Sequence, residues 1–191
     1  MTNGPLPLVL EDYRRQIESI KARVTALAER LSEAEMRQRP SSTEWSPVEI
    51  LDHLRVTVEQ YLFAIDAALA TAPKIGVADR EPKYGWVWRL FLRTIEPPVK
   101  KRFRAPKAFE PGVQPGVAAT LQAFLAAHDA LIERIHRAAE YDLERVKVVS
   151  PGNSLLKPPL GCAILTMAAH GRRHLAQLQR SAGAELPGEG S

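Results

Sequence analysis

Ser46-Pro47-Val48-Glu49-Ile50-Leu51-Asp52-His53-Leu54 spells out the beginning of a helix. Ser46 can cap the first turn, Pro47 fits the first helical position because its missing N–H would find no intrahelical partner there, and Glu49 can reach back to the capping residue. From this start Leu51, Leu54, Val58, Leu62, Ile65 and Leu69 recur at steps of three or four. That period predicts a helix to about Ala70 with one apolar stripe. Pro73 stops it. Beside the apolar stripe runs a mixed one, Ile50, His53, Thr57 and Tyr61.

Toward the N-terminus the same period recurs in Leu10, Tyr13, Ile17, Ile20, Val24, Leu27 and Leu31, predicting a helix from about Leu8 to Leu31, and Pro40 ends any continuation. Toward the C-terminus residues 73 to 115 hold seven of the fifteen prolines, too many for one long helix. Within them only Trp86 to Glu96 has helical character, so the stretch is expected to be an extended crossover that could act as a lid. A third long helix is expected from near Pro115 to about Ala139, with Leu121, Phe124, His128, Leu131 and Ile135 on one face. A second proline-containing link, Ser150 to Pro159, precedes a last helix from about Leu160 to Ala182, and the small polar tail from Gly183 to Ser191 is expected to fray. No stretch alternates apolar and polar residues as a half-buried strand would. The fold class expected is all-α: a four-helix bundle with a long crossover between its second and third helices, forming one domain over 1–191.

Composition agrees with one soluble globular domain: 191 residues, 45% hydrophobic and 25% charged. The formal charge of +4 comes without long one-sign tracts and names no partner. A single cysteine, Cys162, excludes an intramolecular disulfide framework and a cysteine-rich zinc site, and fits a reducing, cytoplasmic setting. No segment approaches the roughly 18 apolar residues of a membrane span, and the N-terminus lacks the pattern of a secretory signal, so no membrane association is expected.

Five histidines remain to be placed: His53, His128, His136, His170 and His174. His170-Gly171-Arg172-Arg173-His174 puts two imidazoles about 6 Å apart along a helix axis and about 40° apart around it, so both can reach one ion. Metalloprotease helices use this spacing, but the glutamate that follows their first histidine is Gly171 here, so that reading loses its general base. His53, on its mixed stripe, which could face the last helix, is a candidate third ligand. Three imidazoles from two helices would leave a coordination position open, as in catalytic and unlike closed structural sites.

Two segments carry a resemblance. Leu31 to Pro40 followed by Glu44-Trp45-Ser46-Pro47-Val48-Glu49-Ile50-Leu51-Asp52-His53-Leu54 resembles the N-terminal signature of the DinB/YfiT-like superfamily, and His170 to Leu178 resembles its C-terminal signature. The resemblance implies a helical bundle presenting three histidines to a divalent metal, zinc or nickel most often. Matched residue by residue these are His53, His170 and His174. It also implies an enzyme acting on a small molecule, either a metal-dependent hydrolase or a transferase using a low-molecular-weight thiol such as bacillithiol or mycothiol, and homodimers are frequent in the family. Catalytic residues beyond the ligands are not specified. The alternative is a non-catalytic bundle that binds metal or a partner during stress.

Other residues have plainer readings. His128 lies on the apolar face of its helix as a fourth ligand, an orienting partner or a core histidine bonded to backbone, the last being favoured, and His136 is expected in solvent. Cys162 is about 18 Å along the helix from His174 and is read as packing. Gln177 can bond a ligand or simply lie on the helix surface. Trp45 is expected to plug the helix entrance, while Tyr84, Trp86 and Trp88 could roof a pocket. Glu49, Asp52 and Asp129 are unranked candidates for a general base. Lys100-Lys101-Arg102-Phe103-Arg104 with Lys107 is the densest basic run; without a binding fold or interleaved stacking aromatics it is read as a solvated face, and no nucleic acid is expected as partner.

Overall fold

The computed structural model describes residues 5–78, 80–98, 105–112 and 116–183. Among them are six α-helices, one 3₁₀ turn and no strand: α1 (Leu8–Ala28), α2 (Glu33–Arg37), α3 (Pro47–Thr71), α4 (Trp86–Ile95), the turn Lys107–Phe109, α5 (Val117–Ala138) and α6 (Leu160–Ser181). The expected basic run at 100–104, Pro115 and the tail beyond Gly183 lie outside the described residues.

The long helices begin and end where the sequence places them to within a few residues. At α3 the Ser46 N–H donates to Glu49 Oε2 at 2.9 Å, as the capping box requires, and Pro47 takes the first position. α1 stops at Ala28 rather than Leu31. The next residues form α2, a helix that periodicity does not reveal because it spans five residues and buries only Met36. Its own capping box was written in the sequence: the Ser32 N–H donates to Glu35 Oε2 at 2.8 Å and the Glu35 N–H to Ser32 Oγ at 3.3 Å.

The apolar stripes bury as expected. Leu10, Ile17, Val24 and Leu27 of α1 and Leu51, Leu54 and Ile65 of α3 are essentially inaccessible, while Leu31 and Leu62 at the stripe margins stay half-buried. The mixed stripe of α3 is buried along its whole length, Ile50, His53, Thr57 and Tyr61 alike. α1 packs on α5 and α6, and α3 packs on the same two helices. The core fills the space these four long helices enclose.

Asp66, late in α3, pairs with Arg134 at 2.8 Å and Arg137 at 2.7 Å, late in α5. The last turns of the second and third long helices are therefore direct neighbours. The described parts of 72–116 are pinned at several points. Gly76, with φ of +79°, a value that a side chain would strain, donates its N–H to Glu140 O at 2.9 Å. Tyr84 Oη meets Tyr13 Oη at 2.9 Å directly over Gly161, where an added Cβ would stand 1.7 Å from the Tyr84 oxygen. α4 lies on α6, tied by Arg172 Nε to Glu96 Oε2 at 2.9 Å. Finally the Gly112 N–H donates to Asp52 Oδ2 at 2.7 Å. The link between α5 and α6 folds into a small hairpin-like loop, Ser150 N–H to Leu156 O and Val148 N–H to Pro158 O at 2.9 Å each, and its Gly152 lies against the Phe109 ring.

Candidate metal centre

The capping box fixes where α3 starts, and that start puts His53 on the buried side of its second turn. His53 is 2% exposed. Its Nδ1–H donates to the Phe109 carbonyl at 2.6 Å, which leaves the Nε2 lone pair directed away from that bond. On α6 the four-residue spacing aligns His170 and His174 on one face. His174 is buried and its Nδ1–H donates to Gln177 Oε1, one turn further on, at 2.8 Å. His170 is half-buried.

The structure brings the three sequence-predicted imidazoles together. Ring centroids lie 5.0 Å apart for His53 and His170, 4.6 Å for His53 and His174, and 4.4 Å for His170 and His174. One nitrogen from each ring falls within 4.8 Å of the others. Nitrogens bound to a tetrahedral zinc ion at about 2.0–2.1 Å are about 3.3–3.4 Å apart, so small ring rotations suffice to enclose an ion. His53 Nε2 and His170 Nε2 already stand 3.1 Å from each other. Two ring nitrogens at that distance need a positive centre between them: a hydrogen donated by one to the other, or a cation held by both lone pairs.

Burial pushes the pKa of all three imidazoles down. For His170 and His174 neighbouring imidazoles add to burial, and the Arg173 charge bears on all three rings in the same direction. The Phe109 and Gln177 bonds oppose the shift at His53 and His174. The rings are therefore neutral near pH 7, the form in which imidazole binds metal. The donor set, neutral nitrogen with two outer N–H groups already fixed by acceptors, suits a borderline divalent ion such as zinc or nickel.

Other candidates fall elsewhere. His128 is fully buried in α5, donates from Nδ1 to Phe124 O at 2.8 Å, and is held to a pKa of about 4 by burial; it is a core histidine bonded to backbone and stands outside the group of three. His136 is exposed. Glu49 is occupied by Ser46 and by an ion pair with Arg39. Asp52 holds Arg55 Nε at 2.8 Å on one oxygen and the Gly112 N–H on the other, and exposed Asp129 pairs with Lys21. Cys162 is buried, and burial pushes its thiol up to about 12. Trp45 does more than plug the helix entrance: its ring lies 4.8 Å from that of His53, and its carbonyl accepts from Ser181 Oγ at 3.2 Å. Tyr84 is committed to Tyr13, and Trp86 stands exposed. Sequence reasoning missed the Phe109 carbonyl altogether, since a backbone acceptor leaves no mark in residue identity.

The family model described as the DinB superfamily matches residues 16–178. The chain belongs to the DinB superfamily. That match runs from within α1 to the last turns of α6, and so takes in all three clustered histidines together with Gln177. No curated protein and no solved structure matches the chain. Among the described residues no helix is long and apolar enough to cross a membrane.

Proposed function

We propose that this DinB-superfamily chain is a metal-dependent enzyme in which His53, His170 and His174 hold a divalent ion, zinc or nickel, for work on a small molecule. The four long helices are read as a four-helix bundle, with 72–116 as its crossover. The observation that carries the reading is the convergence of three neutral imidazoles from two helices, two of them with their outer N–H groups already engaged by Phe109 O and Gln177.

When bound, such an ion supplies Lewis acidity, which polarises a carbonyl or acidifies a water or thiol brought to it. Around it the chain's own groups have distinct tasks. The Phe109 carbonyl and Gln177 fix which nitrogen of His53 and His174 faces inward and strengthen each as a donor. Trp45 covers one side of the His53 ring and keeps bulk water from it. Glu49 and Asp52 are committed to capping, ion pairs and the crossover, so the base in a hydrolytic reaction is not assigned to them. Water as nucleophile makes the enzyme a hydrolase, and a small thiol makes it an S-transferase.

Elemental analysis of protein purified without added metal or an affinity tag tests the centre. Turnover of ester, amide and thiol-plus-electrophile panels, abolished by chelation and restored by metal, then tests the enzyme. About one equivalent of metal with no turnover on any panel would replace the proposal with a passive metal-binding bundle. Full metal retention in both His170→Ala and His174→Ala would remove the site.

A further inference from the structure

α4 carries apolar side chains that the fold does not use. No residue of this helix is buried, although it lies on α6. Turning about 100° per residue from Trp86, the half-buried Trp88, Phe91, Leu92 and Ile95 occupy about 140–240° of the circumference. Trp86, Val87 and Leu90 point elsewhere, at about 0–100°, and are 70%, 52% and 54% exposed. Glu96, just past the end of the helix, is bonded to Arg172 of α6, so the three side chains stand on a ridge fixed to the body of the protein.

Beside the exposed apolar arc, at about 300–340°, come Arg89 and Arg93. Both are exposed, and neither has a hydrogen bond or ion pair among the described residues. The nearest carboxylate in sequence, Glu96, is spent on Arg172. Past the helix the sequence stays basic, with Lys100, Lys101, Arg102, Arg104 and Lys107 and no acidic residue between Glu96 and Glu110.

An apolar arc bordered by arginines is the surface a helix needs to lie in the interfacial plane of an anionic membrane, with aromatic and aliphatic groups at the acyl boundary and cations among the headgroups. A second copy of the chain fits less well. Two-fold pairing would bring the arginines of both copies together with no free carboxylate on the helix to meet them. Three partly exposed side chains also fall short of the roughly 800 Å² per partner of a stable dimer, since even a whole aromatic ring buries only about 150–250 Å². Nucleic acid would stack bases on rings, and Val87 and Leu90 offer none.

We propose that α4 docks on the surface of an anionic membrane, with Trp86, Val87 and Leu90 entering the headgroup boundary and Arg89 and Arg93 pairing with acidic headgroups. The contact is peripheral, because a helix of ten residues crosses no bilayer, and the lack of a spanning helix has no bearing on it. It stands independently of the three-histidine centre.

Flotation of the full chain with vesicles tests this, using phosphatidylcholine alone or with about one-third phosphatidylserine. Wild type should partition onto the anionic vesicles at least about tenfold more strongly than onto the neutral ones, and high salt should remove most of the difference. Replacing both arginines, Arg89→Gln with Arg93→Gln, should weaken anionic binding about 25-fold, or about fivefold for each. Trp86→Ser with Leu90→Ser should weaken it at least about tenfold while the remaining binding keeps its salt sensitivity. All four side chains are exposed, so circular dichroism and Tm should match the parent, and Trp86→Ala with Leu90→Ala replaces the serine pair if that pair does not fold. Equal partitioning onto both kinds of vesicle, or anionic binding that survives either pair, overturns the proposal. A preference for single-stranded DNA over vesicles, or self-association abolished by the serine pair in place of vesicle binding, overturns it as well.

Discussion

Gln177 offers the sharpest handle on the proposed centre, because it touches His174 without being a candidate ligand. Its Oε1 accepts the His174 Nδ1–H at 2.8 Å, and that bond raises the basicity of a ring that burial and its neighbours push the other way. Replacing it by alanine removes the acceptor from a buried donor and frees the ring to turn. Loss of such an outer partner typically weakens metal binding about 10–100-fold, or about 1.4–2.7 kcal/mol. Gln177→Glu keeps an acceptor in place and adds negative charge, so it should retain parental affinity or exceed it. Competition against a chromophoric chelator at neutral pH gives the affinities, with circular dichroism of the metal-free variants confirming that α6 is intact. Affinities of both variants within twofold of the parent would refute the idea that Gln177 orients His174 for an ion.

Three further outcomes are expected. Saturating the site at about a thousandfold over Kd should stabilise the fold by about 4 kcal/mol, roughly 8–16 °C in Tm for a chain of this size, and His170→Ala should erase the gain in a thermal melt; equal shifts in both proteins would contradict it. The folded state holds His128 neutral, with its pKa lowered from 6.5 to about 4, so between those values the unfolded chain binds a proton the folded one refuses. Stability is therefore lost as pH falls from 6.5 toward 4, about 3 kcal/mol from this residue, and urea titrations of metal-free protein at pH 7 and 4.5 should show a smaller acid loss in His128→Gln. Gly161→Ala drives a Cβ into Tyr84, 1.7 Å from its hydroxyl and 2.7 Å from Cζ, and should cost about 1–3 kcal/mol. Adding Tyr84→Ala should make the Gly161→Ala step nearly free, and a double-mutant cycle with no coupling would count against the contact.

Much of this was legible in the sequence, for reasons that differ by element. The α3 start could be read because capping box, N1 proline and apolar period all agree, and its mixed stripe made His53 a candidate third ligand. The His170–His174 pair follows from helix geometry alone. Their meeting with His53 was an expectation drawn from the mixed stripe of α3 and strengthened by the family resemblance, because periodicity describes one helix at a time. α2 escaped because one turn has no period, although Ser32 and Glu35 announced its cap. Of the connection 72–116 the sequence revealed its prolines and the short helix at Trp86 to Glu96, found as α4, but not how it is attached. Its attachments use a peptide carbonyl at Phe109, a peptide N–H at Gly112 and a tyrosine over a glycine, none of which a hydrophobic pattern encodes. Gln177 sat in plain sight beside the histidines, yet a helix surface full of polar residues gives no reason to single it out until its bond to His174 is seen.

The partner of His53 is a peptide group, and this has a consequence for how the chain can vary. No replacement of residue 109 deletes a main-chain oxygen; only a shift of the strand of chain that bears it can do so. The centre thus gauges where that segment lies, and the segment's side chains matter to it through that position. Pressure on the buried Phe109 ring from Gly152, or release of Gly112 from Asp52, would be felt at His53 as a change in ring angle. A loop of different composition would serve only if it filled the place of that ring and delivered one oxygen atom to the same point in space.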